Sequence, residues 1–193
     1  NLSTTVITGA QYGVYLYMSS GNTTTHTLTN DTIHGGAGTS YGIYTYVLSG
    51  SSTTVNVKNS IVTQFGTNGF YRTVSSGTGV VNVTYSDVWG NTSGNYNGVT
   101  PGTGSFSANP LYKNPPSDLH LTANSPARNA GDTGGDIGAL PYAGDASTQL
   151  AGTLWTDTVW TKVGSPWVVT GDIVVPPGKT DRKSTRLNSS HGY

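Results

Sequence analysis

The sequence predicts an all-β fold in which short strands stack into a solenoid. The first observation is a repeat, because the stretch Tyr12–Leu28 recurs at Tyr41–Val57 with a constant offset (41 − 12 = 29), and a looser third copy begins at Gly69. The second is composition, since only 9% of the residues are charged and Gly, Ser, Thr, Asn and Tyr are abundant. Self-similarity at a period of about 20 to 50 residues is typical of solenoids, propellers and arrays.

Within each copy, apolar residues alternate with a period of two, which indicates strands rather than helices. In the first copy Val14, Leu16 and Met18 form the predicted core row, with tyrosines between them. A glycine then bends the chain, a second strand follows, and a polar bend leads to a third strand. These polar bends are predicted at Asn30, Asn59 and Tyr85. Three strands per repeat describe one coil, and coils stacked about 4.8 Å apart make three parallel sheets.

Two kinds of motif carry a family resemblance. The third strands of successive coils lie in Asn59–Val62 and Tyr85–Asn91. Five further motifs follow in order: Ala108–Tyr112, Asp118–Leu121, Ser125–Ala127, Asn129–Asp132 and Asp136–Ala139. With these motifs, residues 1 to about 142 resemble the right-handed parallel β-helix repeat proteins of bacterial surfaces and secretions. The resemblance implies that the ordered motifs form a C-terminal cap that closes the last coil, where an open end would expose unpaired backbone.

The rest of the chain is predicted to divide into shorter parts. Residues 92–107 are rich in glycine and predict a loop that leads to the cap. Residues 143–180 resemble a linker and the first strands of a second, truncated β-helix. From Asp181 the sequence resembles translated sequencing-adapter DNA, so residues 181–193 are predicted to be a non-native tail. The start lacks Met and a signal peptide, and we expect a fragment whose export signal lies upstream.

Composition excludes several classes of partner. The formal net charge is zero and no basic run precedes Asp181, so nucleic acid is not expected as a partner. There is no Cys, which excludes disulfides, and no apolar run approaches the ~18 residues of a membrane span. Asp132 and Asp136 lack the spacing of a calcium loop and are predicted to form Asx turns. We predict no metal and no cofactor, and we expect a secreted or cell-surface location.

The resemblance also raises the possibility of an enzyme, because parallel β-helix proteins include pectate lyases and polygalacturonases. The first three coils offer only Asp31 and Asp87, about two coils or roughly 10 Å apart, at the outer edge of the ~6.5 to 9.5 Å of an inverting pair. We predict that they are turn residues. Arg72, the one basic residue in a repeat strand, lacks an acidic cluster, and we expect the coil to open there. No catalytic residue is predicted. The alternative is a fragment of a polysaccharide lyase or glycoside hydrolase whose active residues lie upstream.

Tyrosines are the candidate binding residues. If Val14, Ile43 and Phe70 face inward, the outward row consists of Tyr15, Tyr17, Tyr44, Tyr46 and Tyr71. Such rings can stack against sugars, or they can form a ladder that stabilises the sheet. We therefore predict a non-catalytic repeat module that acts as a spacer or adhesive surface and contacts polysaccharide or cell-surface glycan.

Overall fold

The computed structural model describes residues 1–144, 148–154, 157–160 and 167–183. Every regular element among them is a strand, and parallel strands stack into a β-solenoid of about four turns, which confirms the predicted fold class. The strands of the solenoid are β1 (Leu2–Ser3), β2 (Val6–Thr8), β3 (Tyr12–Met18), β4 (Thr23–Thr29), β5 (Thr32–His34), β6 (Tyr41–Val47), β7 (Ser51–Lys58), β8 (Ile61–Thr63), β9 (Asn68–Val74), β10 (Gly77–Thr84), β11 (Asp87–Trp89) and β12 (Gly94–Asn97).

Each turn contributes one strand to each of three parallel sheets. Sheet A contains β1, β4, β7 and β10; sheet B contains β2, β5, β8 and β11; sheet C contains β3, β6, β9 and β12. The register follows the repeat, since Ile33 lies beside Val62 and Val62 beside Val88 in sheet B. The strands of sheet B are only three residues long, whereas β3, β6 and β9 of sheet C have seven. This difference in length determines how much outer surface each sheet offers.

The core lies between the three sheets and is built from their inward side chains. It contains Leu28, Ile33, Ile43, Val55, Val57, Val62, Phe65, Phe70, Val83 and Val88. Val14 and Leu16 pack against this core but are only partly buried, because the first coil has a neighbour on one side only. Met18 is also partly buried. The inward row is therefore fully buried in the second coil, at Ile43, Thr45 and Val47, whereas in the third coil Phe70 is buried and Val74 is exposed.

The corner between sheets B and C depends on a stacked glycine. A Cβ added to Gly42 would lie 2.3 Å from Cγ1 of Val62 and 2.5 Å from the carbonyl oxygen of Gly69. Gly13 and Gly69 have equally close neighbours. Glycine is required here because the backbone of one coil approaches both the core and the next coil. The repeated Tyr-Gly and Asn-Gly pairs are thus a packing signature of this corner.

The corner between sheets A and B is the polar bend that the sequence predicts. Asn30, Asn59 and Tyr85 have φ angles of 57°, 52° and 48°, a left-handed conformation that non-glycine residues seldom adopt. Beyond the bend a side-chain ladder restores hydrogen bonding between coils. The N–H of Asp31 donates to Oγ of Ser60 over 3.1 Å, and the N–H of Ser60 donates to Oγ of Ser86 over the same distance.

The end of the solenoid is formed by residues that the sequence predicted as loop. Within 92–107, residues 94–97 form β12 and pair with β9. Single bridges then join Pro101 to Val83 and Phe106 to Asp87, which adds part of a fifth coil. β12 ends at Asn97 opposite Tyr71, one residue before Arg72, whereas β9 stays paired with β6 as far as Val74. The opening of the coil at Arg72 stays a prediction. Pairing along β9 here overrides the weak strand propensity of a glycine-rich segment.

The closing segment, residues 108–142, lies against the outer face of sheet B. It contains an antiparallel pair, β13 (Tyr112–Asn114) and β14 (Asp118–Leu121). The N–H of Ala139 donates to Oγ1 of Thr32 over 2.9 Å. The sequence predicted a cap over the last coil, whereas this segment closes the solenoid from its side and reaches back to the second coil.

Packing as well as hydrogen bonding holds the closing segment in place. Ile61, whose side chain faces outward from sheet B, is fully buried beneath it. A second apolar cluster forms there and contains Ile61, Leu121, Ala127 and Ile137. The two middle strands of sheet B, β5 and β8, are therefore buried on both faces and have no exposed residue, whereas Val6 in β2 is exposed.

Residues beyond 144 form a second set of strands. β15 (Thr148–Thr153) pairs in parallel with β17 (Trp167–Val174), and β16 (Thr158–Trp160) pairs in parallel with β18 (Asp181–Lys183). The predicted non-native tail begins at Asp181, so its first three residues take part in this pairing. Its remaining residues, 184–193, lie outside the described part of the chain.

Candidate functional site

The outer face of sheet C carries a continuous cluster of tyrosine rings, which we call the tyrosine face. Strands β3, β6 and β9 supply its seven members: Tyr12, Tyr15, Tyr17, Tyr41, Tyr44, Tyr46 and Tyr71. The strand register places Tyr15 beside Tyr44 and Tyr44 beside Tyr71. The outward direction predicted for five of them, Tyr15, Tyr17, Tyr44, Tyr46 and Tyr71, agrees with the burial of Ile43 and Phe70 on the opposite face.

The rings contact one another both along strands and between coils. Between coils, the ring centroids of Tyr15 and Tyr44 are 5.0 Å apart, and those of Tyr41 and Tyr71 are 4.7 Å apart. Along β3, the centroids of Tyr15 and Tyr17 are separated by 6.2 Å. These separations are typical of interacting aromatic pairs, so the rings stabilise the sheet as a ladder.

The ladder leaves one part of the tyrosine face open to solvent. Tyr15 and Tyr17 are 47% and 49% exposed, whereas Tyr41, Tyr44 and Tyr71 are shielded by their neighbours. An exposed ring offers an apolar surface together with a phenolic hydroxyl that both donates and accepts hydrogen bonds. The two interpretations of the tyrosines are therefore compatible: the inner rings support the sheet, and the outer rings are accessible to a ligand.

The tyrosine face is electrically neutral. Arg72 is the only charged residue in the four strands of sheet C. It aligns with Thr45 on the inward side, and its Nη1 donates to the carbonyl oxygen of Gly79 over 2.6 Å. Partial burial raises the pKa of the Tyr15 and Tyr44 hydroxyls, so both phenols stay neutral at physiological pH. The surface offers hydroxyl groups and aromatic carbon but no ionic partner.

Sequence reasoning missed two members of the tyrosine face. Strict alternation from Val14 places Tyr12 on the inward side, and the same holds for Tyr41 and Ile43. In the structure the rings of both tyrosines nonetheless contact the outer cluster, so the alternation is interrupted between Tyr12 and Val14 and between Tyr41 and Ile43. The glycine after each tyrosine is the signal that could have indicated this interruption.

The two aspartates of the coils are buried structural residues. Oδ1 of Asp31 accepts the N–H of Thr5 over 2.9 Å, and Oδ1 of Asp87 accepts the N–H of Ala108 over 3.0 Å. Both side chains are 0% exposed. Burial raises the pKa of both carboxyl groups, that of Asp87 to about 8, so Asp87 is largely protonated at neutral pH. Neither carboxyl group can reach a substrate on an outer surface.

The acidic pair near the closing turn has structural partners as well. Oδ2 of Asp132 forms an ion pair with Nζ of Lys58 at 2.5 Å, and this hydrogen bond lowers the pKa of Asp132. Asp136 accepts backbone N–H groups from Asn129 and Tyr142 at 3.0 and 2.9 Å. In the part of the chain that the structure describes, no group of three or more His, Asp, Glu or Cys side chains is arranged to hold a metal ion.

His34 is a buried residue at the end of β5. Its Nδ1 lies 3.0 Å from Oγ1 of Thr63, and its ring packs edge-on against Tyr112 of the closing segment at 5.8 Å. Burial lowers the pKa of His34, so the neutral ring is favoured. This histidine is part of the interface between sheet B and the closing segment.

A cavity of about 410 Å³ opens between the last coil and the closing segment. Its lining includes Phe106, Ala108, Pro126 and Arg128. Nη1 of Arg128 donates to the carbonyl oxygen of Ala123 over 2.6 Å, and the guanidinium lies 4.2 Å from the ring centre of Tyr142. Arg128 is thus held by contacts within the closing segment.

Comparison with known proteins returns no matching family model, no matching curated protein and no matching solved structure. The resemblance to bacterial β-helix proteins thus stays a prediction, while the solenoid itself is a property of the structure. In the residues that the structure describes, no helix has the length and apolar character of a membrane-spanning segment.

Proposed function

We propose that the chain is a non-catalytic β-solenoid module of a secreted or cell-surface protein, and that its tyrosine face binds polysaccharide or cell-surface glycan. The observation that carries this proposal is the clustering of seven tyrosines on one partly exposed, neutral face of a rigid scaffold. Sugar rings have apolar C–H faces bordered by hydroxyl groups, and exposed tyrosines complement both features.

The geometry favours a ligand that lies across the first two coils. Tyr15 and Tyr17 are the most exposed rings, and Tyr46 follows Tyr17 in the next coil with ring centroids 5.6 Å apart. Because the rings are held by contacts with each other and by the sheet, little side-chain entropy is lost when a ligand binds. The absence of charge from the outer side of sheet C favours neutral sugars over uronates.

The buried state of the aspartates supports the non-catalytic part of the proposal. Asp31 and Asp87 are engaged with backbone N–H groups below the surface, so they are poor candidates for a general acid and base. The alternative, a fragment of a polysaccharide lyase or glycoside hydrolase with its active residues elsewhere, stays a prediction. No residue described by the structure favours it over a binding module.

A glycan array tests the proposal. The wild-type chain should bind a set of neutral glycans, and the variant Tyr15→Ala/Tyr17→Ala should lose about tenfold or more of that binding. The matched control is Thr25→Ala/Thr54→Ala, which removes two outward side chains from the neighbouring sheet A and should bind like the wild type. Equal loss in both variants, or no binding to any array member, would refute the proposed surface.

A further inference from the structure

The ring contacts of the tyrosine face also have consequences for oxidation chemistry. Tyr41 and Tyr71 belong to neighbouring coils and lie diagonally to each other, because the register pairs Tyr44 with Tyr71. Their ring centroids are 4.7 Å apart with an interplanar angle of 36°, the shortest separation in the cluster. Tyr41 and Tyr71 are offset by three positions in the strand register, so it is the direction of their side chains that brings the two rings together.

We propose that the tyrosine face is a site of intramolecular oxidative cross-linking, in which Tyr41 and Tyr71 form a dityrosine bond between the second and third coils. The reaction requires an oxidant that removes single electrons, such as a haem peroxidase supplied with hydrogen peroxide. It does not depend on glycan binding.

Two one-electron oxidations form the cross-link. Each phenol loses one electron and one proton and becomes a phenoxyl radical. The two radicals couple through ring carbons ortho to the hydroxyl groups, forming one C–C bond, and loss of the two ortho hydrogens as protons, which return to the phenoxyl oxygens, restores two phenols. Hydrogen peroxide accepts the two electrons and two protons in total and becomes two molecules of water.

The cluster provides a route by which an exposed ring can be oxidised first. Tyr15 is 47% exposed, and its ring contacts Tyr44 at 5.0 Å. Tyr44 in turn contacts Tyr41 and Tyr71, each at 5.1 Å. A radical formed at the surface can therefore pass through ring contacts to the closest pair. The chain contains no Cys that would compete as a reductant or supply another covalent staple.

A cross-link between coils should stabilise the solenoid. It would close a loop of about 30 residues (71 − 41 = 30), as a disulfide does, and restrict the unfolded chain. By that analogy the thermal midpoint of the cross-linked monomer should rise by about 5–10 °C.

The test treats the full chain at low concentration with a haem peroxidase and hydrogen peroxide, isolates the monomer, and maps cross-linked peptides by mass spectrometry. We expect dityrosine fluorescence in the monomer and a peptide pair joined at Tyr41 and Tyr71. Tyr41→Phe keeps the ring contact but lacks the phenol, so it should lose this peptide pair while its circular dichroism stays unchanged. Tyr85→Phe, which lies outside the tyrosine face, is the matched control and should retain it.

Three results would overturn the inference. The first is dityrosine that appears only between separate chains, and the second is a monomer without dityrosine. The third is an equal yield of monomeric dityrosine in the wild type and Tyr41→Phe.

Discussion

The outer faces of sheets B and C show how one repeat produces two kinds of surface. Both sheets have apolar residues pointing into the same core, but on the outer side sheet B presents short strands with Ile61 and Asp87, and sheet C presents long strands with tyrosines. The closing segment buries the first face, whereas Tyr15 and Tyr17 of the second remain about half exposed. The outward side chains of each sheet, rather than the coil that the sheets share, therefore determine whether a face is covered by another segment or stays accessible to a ligand.

The largest difference between the two faces should appear in the loss of stability when one outward residue on each face is replaced. Ile61→Ala removes a fully buried side chain beneath the closing segment and should lower the free energy of unfolding by about 2–4 kcal/mol. Tyr17→Ala removes a half-exposed ring and should cost less than about 1 kcal/mol. Urea denaturation at neutral pH measures both values. Similar losses in the two variants would mean that the faces are not packed differently.

The contribution of the buried Asp87 to stability should depend on pH. Because burial raises its pKa to about 8, its contribution to stability is complete below pH ~4, the unfolded value, and is lost as the pH rises through 8. Asp87→Asn keeps an acceptor for the N–H of Ala108 but cannot ionise. The variant should therefore gain stability relative to the wild type as the pH rises, by on the order of 5 kcal/mol between pH ~4 and pH ~9.

Denaturation curves of the Asp87 pair across this pH range provide the check. Asp118→Asn is a suitable control, since its exposed carboxyl belongs to the closing segment and its pKa is lowered by hydrogen bonds from His120. It should not reproduce the gain at high pH. A constant difference between Asp87→Asn and the wild type would show that Asp87 ionises alike in the folded and unfolded chains.

The contribution of His34 to stability should show a smaller pH dependence of the opposite sign, since it is lost as the pH falls. Burial lowers its pKa, so its contribution is complete above pH ~6.5 and is lost as the pH falls through the lowered value. His34→Asn retains a polar group near Oγ1 of Thr63 but stays neutral. Between pH ~7.5 and 5 the wild type should lose about 1 kcal/mol more than the variant. Parallel stability profiles for the two proteins would contradict this.

Sequence patterns predicted sheet C better than sheet B, and the reason is strand length. Seven-residue strands such as Tyr41–Val47 show the alternation that separates inward from outward residues. Three-residue strands such as Ile61–Thr63 are too short to show it, so the burial of Ile61 on the outer side was not predicted. Its cover comes from residues 60 or more positions later, and no local pattern encodes where that segment packs.

Five of the seven members of the tyrosine face could be predicted from the sequence. Tyr15, Tyr17, Tyr44, Tyr46 and Tyr71 lie on the face that the repeat implies, because their inward neighbours are apolar. Tyr12 and Tyr41 were missed because strict alternation assigns them to the inward side, whereas their rings contact the outer tyrosines. Tyr41 and Tyr71 are not aligned in the strand register of their two coils, so only the structure could reveal the contact between their rings.

Tyrosine nitration in the presence and absence of a neutral polysaccharide, mapped by mass spectrometry, tests the binding role of the tyrosine face most directly. Tyr15 and Tyr17 should react readily in the free protein and should be protected by the polysaccharide. Tyr85 and Tyr142, which are partly exposed outside this face, serve as internal controls and should react equally in both conditions. Protection of the controls to the same extent, or unchanged nitration of Tyr15 and Tyr17 at saturating polysaccharide, would contradict the account.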